Sequence, residues 1–152
     1  MNKKHIPMEE LYPVMAEKIA DGGEVTFTVS GISMQPMVFN RRDTVTIRKH
    51  NGKLKKYDIP FYRRDDGSFI LHRVIKLQKN GNYTCRGDNQ WEKEFDVRDD
   101  QIIGVVTAFT RYEKTVDVNL SKGYKFYCRL WPWVHFLKPC YKYFVKFKNL
   151  FK

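Results

Sequence analysis

The sequence predicts a mainly β protein with one short N-terminal helix and a basic, aromatic C-terminal tail. Most of the chain consists of short apolar runs with a period of two, separated by Asn-Gly and Asp-Gly turn signals. A helical period appears in one stretch near the N-terminus and again within the last 31 residues, which contain no acid. We therefore expect a helix within residues 1–24, a β domain at 25–121 and a tail at 122–152.

The helix is predicted at Met8–Asp21. Apolar residues recur there at helical spacing, and two glutamates stand near its start, where the helix dipole favours acids. Gly22 and Gly23 end the pattern.

The β domain follows as a series of short strands. Asp66-Gly67 and Asn80-Gly81 each lie between two strand-like runs, as hairpin turns do. Pro60, inside the third run, predicts an edge strand or a bulge. The six predicted strands are Val25–Ser30, Thr44–Arg48, Ile59–Tyr62, Phe69–Val74, Tyr83–Arg86 and Ile102–Phe109.

Composition excludes several classes of protein. The 152 residues carry a formal net charge of +11, yet 42% are apolar, which is enough for the core of one domain. The longest stretch without a charged residue, Val25–Asn40, has 16 residues, whereas a membrane span needs about 20 apolar ones. The N-terminus lacks the apolar region of a secretory signal, and the three cysteines form no CxxC motif. We expect a cytoplasmic protein.

Ser33 is the candidate nucleophile. It stands in SGISMQPM directly after the first strand, where Gly31 lets the chain leave the strand sharply and Pro36 prevents a regular ladder from resuming. A serine at the end of a rigid strand, with free backbone N–H groups beside it, has what a nucleophile and an oxyanion hole need. An ordinary Ser, Gly and Pro loop is the alternative, and spacing alone favours that alternative.

His72 is the candidate base, because it lies in the otherwise apolar run FILHRVIKL and could exchange a proton with a serine and a leaving amine. A core histidine bonded to the backbone is the alternative. His5, His50 and His135 lie in a terminus, a turn and the aromatic tail, and are weaker candidates.

A carboxylate that orients the histidine has to come from elsewhere in the chain. The segment RGDNQWEKEFDV offers Asp88, Glu92, Glu94 and Asp96, most of which we expect to be solvated surface charges. The histidines are isolated, and no glycine-rich phosphate loop is present, so neither a metal nor a cofactor is predicted.

Taken together and in order, five motifs resemble the signal peptidase I and SOS-repressor superfamily of serine peptidases. The similarity covers about Val25–Phe109. The motifs are SGISMQPM, YDIPFYRR, LHRVIKL, RGDNQ and DDQIIGVV. The resemblance implies the β fold of that superfamily and a serine endopeptidase that cleaves a peptide or protein substrate.

The resemblance also implies roles for individual residues. Ser33 matches the nucleophile, and Ser30 with the Ser33 N–H falls in the oxyanion region. Signal peptidases of the endoplasmic-reticulum branch of this superfamily use a histidine base, whereas bacterial signal peptidases use a lysine. The sequence His72-Arg73-Val74 resembles the motif that carries the histidine in that branch. In that branch an aspartate six residues beyond the GDN aspartate orients the histidine, and Glu94 occupies that position here, with Asp88 as the alternative.

For such a peptidase, the apolar strand Val25–Val29 would offer an edge to which an extended peptide adds as a strand. The resemblance further implies small residues near the scissile bond. The chain departs from the superfamily in three ways. A helix stands where signal peptidases usually carry a membrane anchor, YDIP replaces GDIV, and no second β domain has room. A catalytically inactive peptide-binding relative is therefore a second interpretation.

The tail carries eight Lys and Arg and 11 of the 23 aromatic residues, and we expect Pro132 and Pro139 to break it into pieces. Tyr141–Phe151 has a helical apolar stripe, and lysines lie off that stripe, which is typical of a helix lying on an anionic membrane. Packing of the tail on the β body through its aromatic residues is an equal alternative. Nucleic-acid binding by residues 123–152 is a third interpretation and ranks last, because no binding motif accompanies the charge.

Overall fold

A computed structural model describes residues 6–133 and confirms the mainly β class. The described residues divide after Asn119 into two units. The first contains helix α1 (Met8–Ala20), all the strands and a 3-10 turn at Asp99–Gln101. The strands of this unit are β1 Glu24–Thr28, β2 Thr44–Arg48, β3 Pro60–Arg63, β4 Phe69–Leu71, β5 Arg73–Leu77, β6 Tyr83–Arg86, β7 Glu94–Val97, β8 Ile102–Arg111 and β9 Lys114–Asp117.

The strands form two antiparallel sheets. The first sheet has the order β1-β2-β8-β3-β4, with β9 paired to β8, and the second has the order β5-β6-β7. The chain passes from the first sheet to the second at His72, which lies between β4 and β5. The single predicted strand Phe69–Val74 is therefore wrong, since its two halves pair with different partners, β3 and β6.

Pro60 marks a bulge rather than an edge. Strand β3 lies between β8 and β4, and its register against β8 shifts between Phe61 and Tyr62. Sequence reasoning missed β7 and β9. Both strands have four residues and are half charged, so neither shows the apolar alternation that identifies a strand.

Helix α1 ends one residue earlier than predicted. Asp21 is its C-cap, and Gly22 adopts a φ of +82°, a conformation open to glycine without strain. The Gly22 N–H then donates to the carbonyl of Ile19 at 3.0 Å. Met15 and Ile19 bury the inner face of the helix, whereas Val14, which also fits the helical spacing, is exposed.

A buried cluster supports the second sheet and the junction between the sheets. Tyr62 and Val74 are among its fully buried members, and they stand on opposite sides of His72 along the chain. The remaining members are Leu54, Tyr83, Cys85 and Val97. Burial raises the pKa of the Cys85 thiol to about 12, so this cysteine is a neutral core residue.

In the second unit, residues 122–133 are helical. This stretch extends to Trp133, one residue beyond Pro132, so the predicted break at Pro132 stays a prediction. The predicted helix Tyr141–Phe151 and Pro139 lie outside the described residues. Within residues 6–133, no helix has both the length and the apolar character needed to cross a bilayer.

Candidate active site

Ser33 is the first residue of a tight turn whose apolar side chains are buried in the core. The turn spans residues 33–37, and the Val38 N–H closes it on the carbonyl of Met34 at 3.2 Å. Met34, Met37 and Val38 are buried, whereas Ser33 stays half-exposed. The turn is therefore fixed to the core by its apolar side chains, and its serine is presented outward.

The Gly87–Asn89 turn holds Ser33 from the other side. The Asn89 N–H donates to the Ser33 carbonyl at 2.7 Å. A Cβ atom added to Gly87 would lie 2.6 Å from that carbonyl oxygen and 3.1 Å from the Ser33 Cβ. Only glycine allows this approach, which explains the chemical need for the first residue of the GDN motif.

The buried side chain of Arg73 contacts both the turn at residues 33–37 and the Gly87–Asn89 turn. Its Nε and Nη2 donate to the two carboxylate oxygens of Asp88, each at 2.7 Å, and both side chains are fully buried. Nη2 also lies 3.1 Å from the Met37 sulfur. Asp88 is thus committed to a structural ion pair, which leaves Glu94 as the carboxylate beside the histidine.

His72 is buried, with 6% of its surface exposed, and its Nδ1 faces two oxygens. The Tyr62 hydroxyl lies 3.4 Å from Nδ1, and the Glu94 Oε2 lies 3.6 Å from it. The Tyr62 hydroxyl donates to the same Glu94 oxygen at 2.6 Å. Because the Tyr62 hydroxyl donates its hydrogen to Glu94, it can only accept a hydrogen bond from His72. This arrangement favours the His72 tautomer that has its hydrogen on Nδ1.

Glu94 is held ionised by its neighbours. Arg64 grips both carboxylate oxygens, from Nε at 2.6 Å and from Nη2 at 2.7 Å. Burial by itself would raise the pKa of Glu94, but the hydrogen bonds from Arg64 and Tyr62 outweigh it and lower the pKa. A permanent negative charge therefore faces the imidazole.

The pKa of His72 is lowered, because burial disfavours its charged form more than the Glu94 carboxylate stabilises it. Arg64 adds to the lowering. A histidine with a lowered pKa is neutral at physiological pH, and a neutral imidazole is the form that accepts a proton.

Tyr62 and Arg64 complete a site that sequence reasoning found only in part. Both lie in the YDIPFYRR motif, Tyr62 within β3 and Arg64 directly after it, and both side chains hydrogen-bond to Glu94 at the start of β7. Burial raises the pKa of the Tyr62 phenol, so the phenol stays protonated and keeps donating to Glu94. Their role depends on contact with Glu94, which lies 30 or more residues further along the sequence. The period of a strand pattern does not predict a contact between side chains so far apart in sequence.

Ser30, Ser33 and His72 line one cavity of about 840 Å³. Within residues 6–133 the Ser33 N–H has no hydrogen-bond acceptor, so it is free to donate into this space. The Ser33 hydroxyl and the His72 ring share the cavity but are not hydrogen-bonded to each other in the described chain. In enzymes without bound substrate such contacts are often long and tighten on binding.

The remaining candidates lie apart from this cavity. His50 Nε2 is 4.0 Å from Asp99, beside the Lys53–Asp99 ion pair. Asp96 accepts from Asn80 at 3.2 Å, and Glu92 is exposed. His5 and His135 lie outside the described residues. In the part of the chain that the structure describes, no group of His, Cys, Asp and Glu side chains is arranged to hold a metal ion.

Comparison with known proteins adds no assignment: no model of a protein family matches this sequence, and no curated protein matches it either.

Proposed function

We propose that this protein is a serine endopeptidase, with Ser33 as nucleophile and His72 as general base. One observation supports this most strongly: Ser33 and His72 line the same cavity, while Nδ1 of His72 faces the ionised Glu94. A serine, a neutral histidine and an orienting carboxylate are the components of a nucleophilic triad. The resemblance to signal peptidase, which covers about Val25–Phe109, points to the same chemistry.

The tautomer of His72 sets the direction of proton transfer. With hydrogen on Nδ1, the lone pair on Nε2 is free to accept the Ser33 proton. As the Ser33 Oγ bonds to the substrate carbonyl carbon, its proton passes to Nε2 and the imidazole becomes positive. Glu94 stabilises that positive charge, and Arg64 and Tyr62 hold Glu94 in position.

The tetrahedral intermediate carries a negative oxygen, for which the Ser33 N–H and the Ser30 hydroxyl are the candidate donors. On collapse the carbon–nitrogen bond breaks, and the leaving amine takes the proton from Nε2. Water then gives a proton to Nε2 as its oxygen bonds to the acyl carbon, and the bond from that carbon to the Ser33 Oγ breaks. The Oγ takes the proton back from Nε2, which releases the carboxylic acid and restores Ser33 and the neutral His72.

A serine-directed fluorophosphonate tests this proposal. We expect one adduct, which peptide mass mapping assigns to Ser33 and which is missing from the Ser33→Ala variant. Ser68→Ala is the matched control, since Ser68 is exposed in the hairpin between β3 and β4 and should leave labelling unchanged. Equal labelling of Ser33→Ala, or no labelling of the wild type, would favour an inactive peptide-binding relative.

A second proposal concerns the tail, which we propose lies on an anionic membrane surface. Phe126, Leu130 and Trp133 are exposed, and their spacing of four and three residues puts them on one face of a helix. Lys125 and Arg129 are exposed next to this stripe. An apolar stripe flanked by cations fits a helix in the plane of a membrane.

Co-sedimentation with vesicles tests the tail proposal. We expect full-length protein to bind vesicles that contain phosphatidylserine, and the double variant Phe126→Ser/Trp133→Ser to bind them more weakly. Ser68→Ala is the control, because it lies in the first unit and changes neither the charge nor the stripe. Equal binding by the double variant would contradict a role for this face.

A further inference from the structure

We infer that the cavity beside Ser33 is a subsite for a large apolar side chain of the substrate, such as Leu, Met or Phe. This inference rests on the proposed function, because it assigns a specificity to that same site. It differs from the small residues that the resemblance implies near the scissile bond. The difference comes from the residues that form the cavity walls.

The two end strands of the first sheet both contribute residues to the cavity lining. Strands β1 and β4 lie at the two ends of the order β1-β2-β8-β3-β4, yet both line the cavity. Phe27 of β1 has its ring centre 5.0 Å from that of Phe61 on β3. Phe61 in turn stacks on Phe69 of β4 at 5.9 Å. The sheet therefore curls until three phenylalanine rings form one continuous apolar wall.

Helix α1 closes one end of the cavity. Met8 and Leu11 belong to the lining, and Tyr12 packs on Phe69 with the ring centres 5.3 Å apart. This aromatic contact fixes the N-terminal half of α1 against β4. Helix α1 therefore contributes directly to the proposed subsite.

The lining side chains are incompletely buried by the protein itself. Phe61 is buried, but Phe27, Phe69, Leu11 and Leu71 each keep part of their surface exposed. Removing this apolar surface from water favours binding roughly in proportion to the area covered. A glycine or alanine side chain would cover little of it, whereas Leu, Met or Phe would cover a larger share.

Positive charge in the cavity lining disfavours a lysine or arginine side chain of the substrate in this subsite. Among the lining residues that the structure describes, the two with a permanent charge are both arginines, Arg41 and Arg64. Arg64 is paired with Glu94, and Arg41 is exposed. A substrate lysine or arginine in this subsite would meet like charge and would leave its own charge without a counter-ion.

Peptide binding to the Ser33→Ala protein tests the subsite without requiring catalysis. Two N-acetylated peptide amides, equal except for Leu or Ala at one position, are compared at each position in turn by calorimetry. We expect one position at which Leu binds roughly tenfold more tightly than Ala, since a few methylenes in an apolar pocket have at least that effect. Equal affinity at every position would overturn the inference.

Variants of the wall locate the effect. Phe27→Ala and Phe69→Ala should remove most of the preference for Leu, and Leu11→Trp should reverse it in favour of Ala by filling the cavity. Val14→Ala is the matched control on α1, because Val14 is exposed on the outer face of the helix. Circular dichroism checks that each variant is folded. An unchanged preference in a folded Phe27→Ala and in a folded Leu11→Trp would also overturn the inference.

Cleavage of a peptide mixture separates this inference from the proposed function. We expect cleavage products that disappear in Ser33→Ala, with Leu, Met or Phe enriched at one position before the scissile bond. Cleavage dependent on Ser33 that requires small residues at every position would overturn the subsite and leave the peptidase intact. Absence of any cleavage dependent on Ser33 would count against the peptidase, and the binding measurement would then decide the subsite alone.

Discussion

Two arginine–carboxylate pairs near the site have the same chemistry and different surroundings. Arg73 and Asp88 form a bidentate pair with both side chains fully buried. Arg64 and Glu94 form an equally short bidentate pair, but their side chains are 38% and 21% exposed. The first connects the Gly87–Asn89 turn to β5 and the second faces the imidazole of His72.

The difference shows how burial assigns a role. A fully buried pair cannot lose one partner without leaving a charge in the core, so the Arg73–Asp88 pair acts as a fixed clamp under Ser33. A partly exposed pair can change its charge balance at lower cost, because water screens what remains. We therefore interpret Arg73–Asp88 as structural and Arg64–Glu94 as the pair that adjusts the base.

Of the variants that test this difference between the two pairs, Asp88→Asn should have the largest effect, a loss of stability. The substitution keeps the size of the side chain and leaves Arg73 as a buried cation without its charged partner, which costs about 3–5 kcal/mol of unfolding free energy. Urea denaturation measures it. Asp65→Asn, in the exposed Arg98–Asp65 pair, is the control and should change stability little. Equal stability of the two variants would contradict the clamp.

Glu94→Gln should affect activity rather than stability. Without the carboxylate, the imidazolium formed during catalysis loses its counter-charge, and we expect kcat/KM to fall on the order of 100-fold. Arg64 remains hydrated enough to tolerate the loss. A fall in stability as large as that of Asp88→Asn, with activity retained in the folded fraction, would assign both pairs the same structural role.

Tyr62→Phe is expected to have a smaller effect. It removes the hydroxyl that donates to Glu94 and lies 3.4 Å from His72, while the bidentate Arg64 contact with Glu94 remains. Loss of one of the three hydrogen bonds to the carboxylate should lower kcat/KM by roughly tenfold. Tyr83→Phe, another core tyrosine, controls for loss of a phenol away from His72.

The smallest effect is a change in pH dependence. His72 acts as a base only when it is neutral, so activity is lost as the pH falls through its pKa. Arg64 lowers the pKa of His72 and Glu94 raises it. Arg64→Gln should therefore shift the acidic limb of the kcat/KM profile to higher pH, and Glu94→Gln should shift it to lower pH. We expect shifts of about one unit or less, because Arg64 is partly exposed. Shifts in the same direction would contradict this assignment.

The sequence was sufficient to predict the mainly β class and the positions of the principal strands, because a period of two is a local signal. The break at His72 was invisible, since FILHRVIKL is one continuous apolar run, and only the pairing partners divide it between two sheets. The same limit hid the roles of Tyr62 and Arg64. Asp88 and Glu94 were indistinguishable as charges, and their burial and arginine partners now separate them.

The rate at which a fluorophosphonate modifies Ser33, measured across about pH 5 to 8, tests the central claim most directly. For the wild type we predict a rate that rises with pH through one ionisation whose midpoint lies below the ordinary histidine pKa of about 6.5. His72→Gln should react on the order of 100-fold more slowly and show no such ionisation. A folded His72→Gln variant that reacts at the wild-type rate, with the wild-type pH dependence, would show that His72 does not activate Ser33.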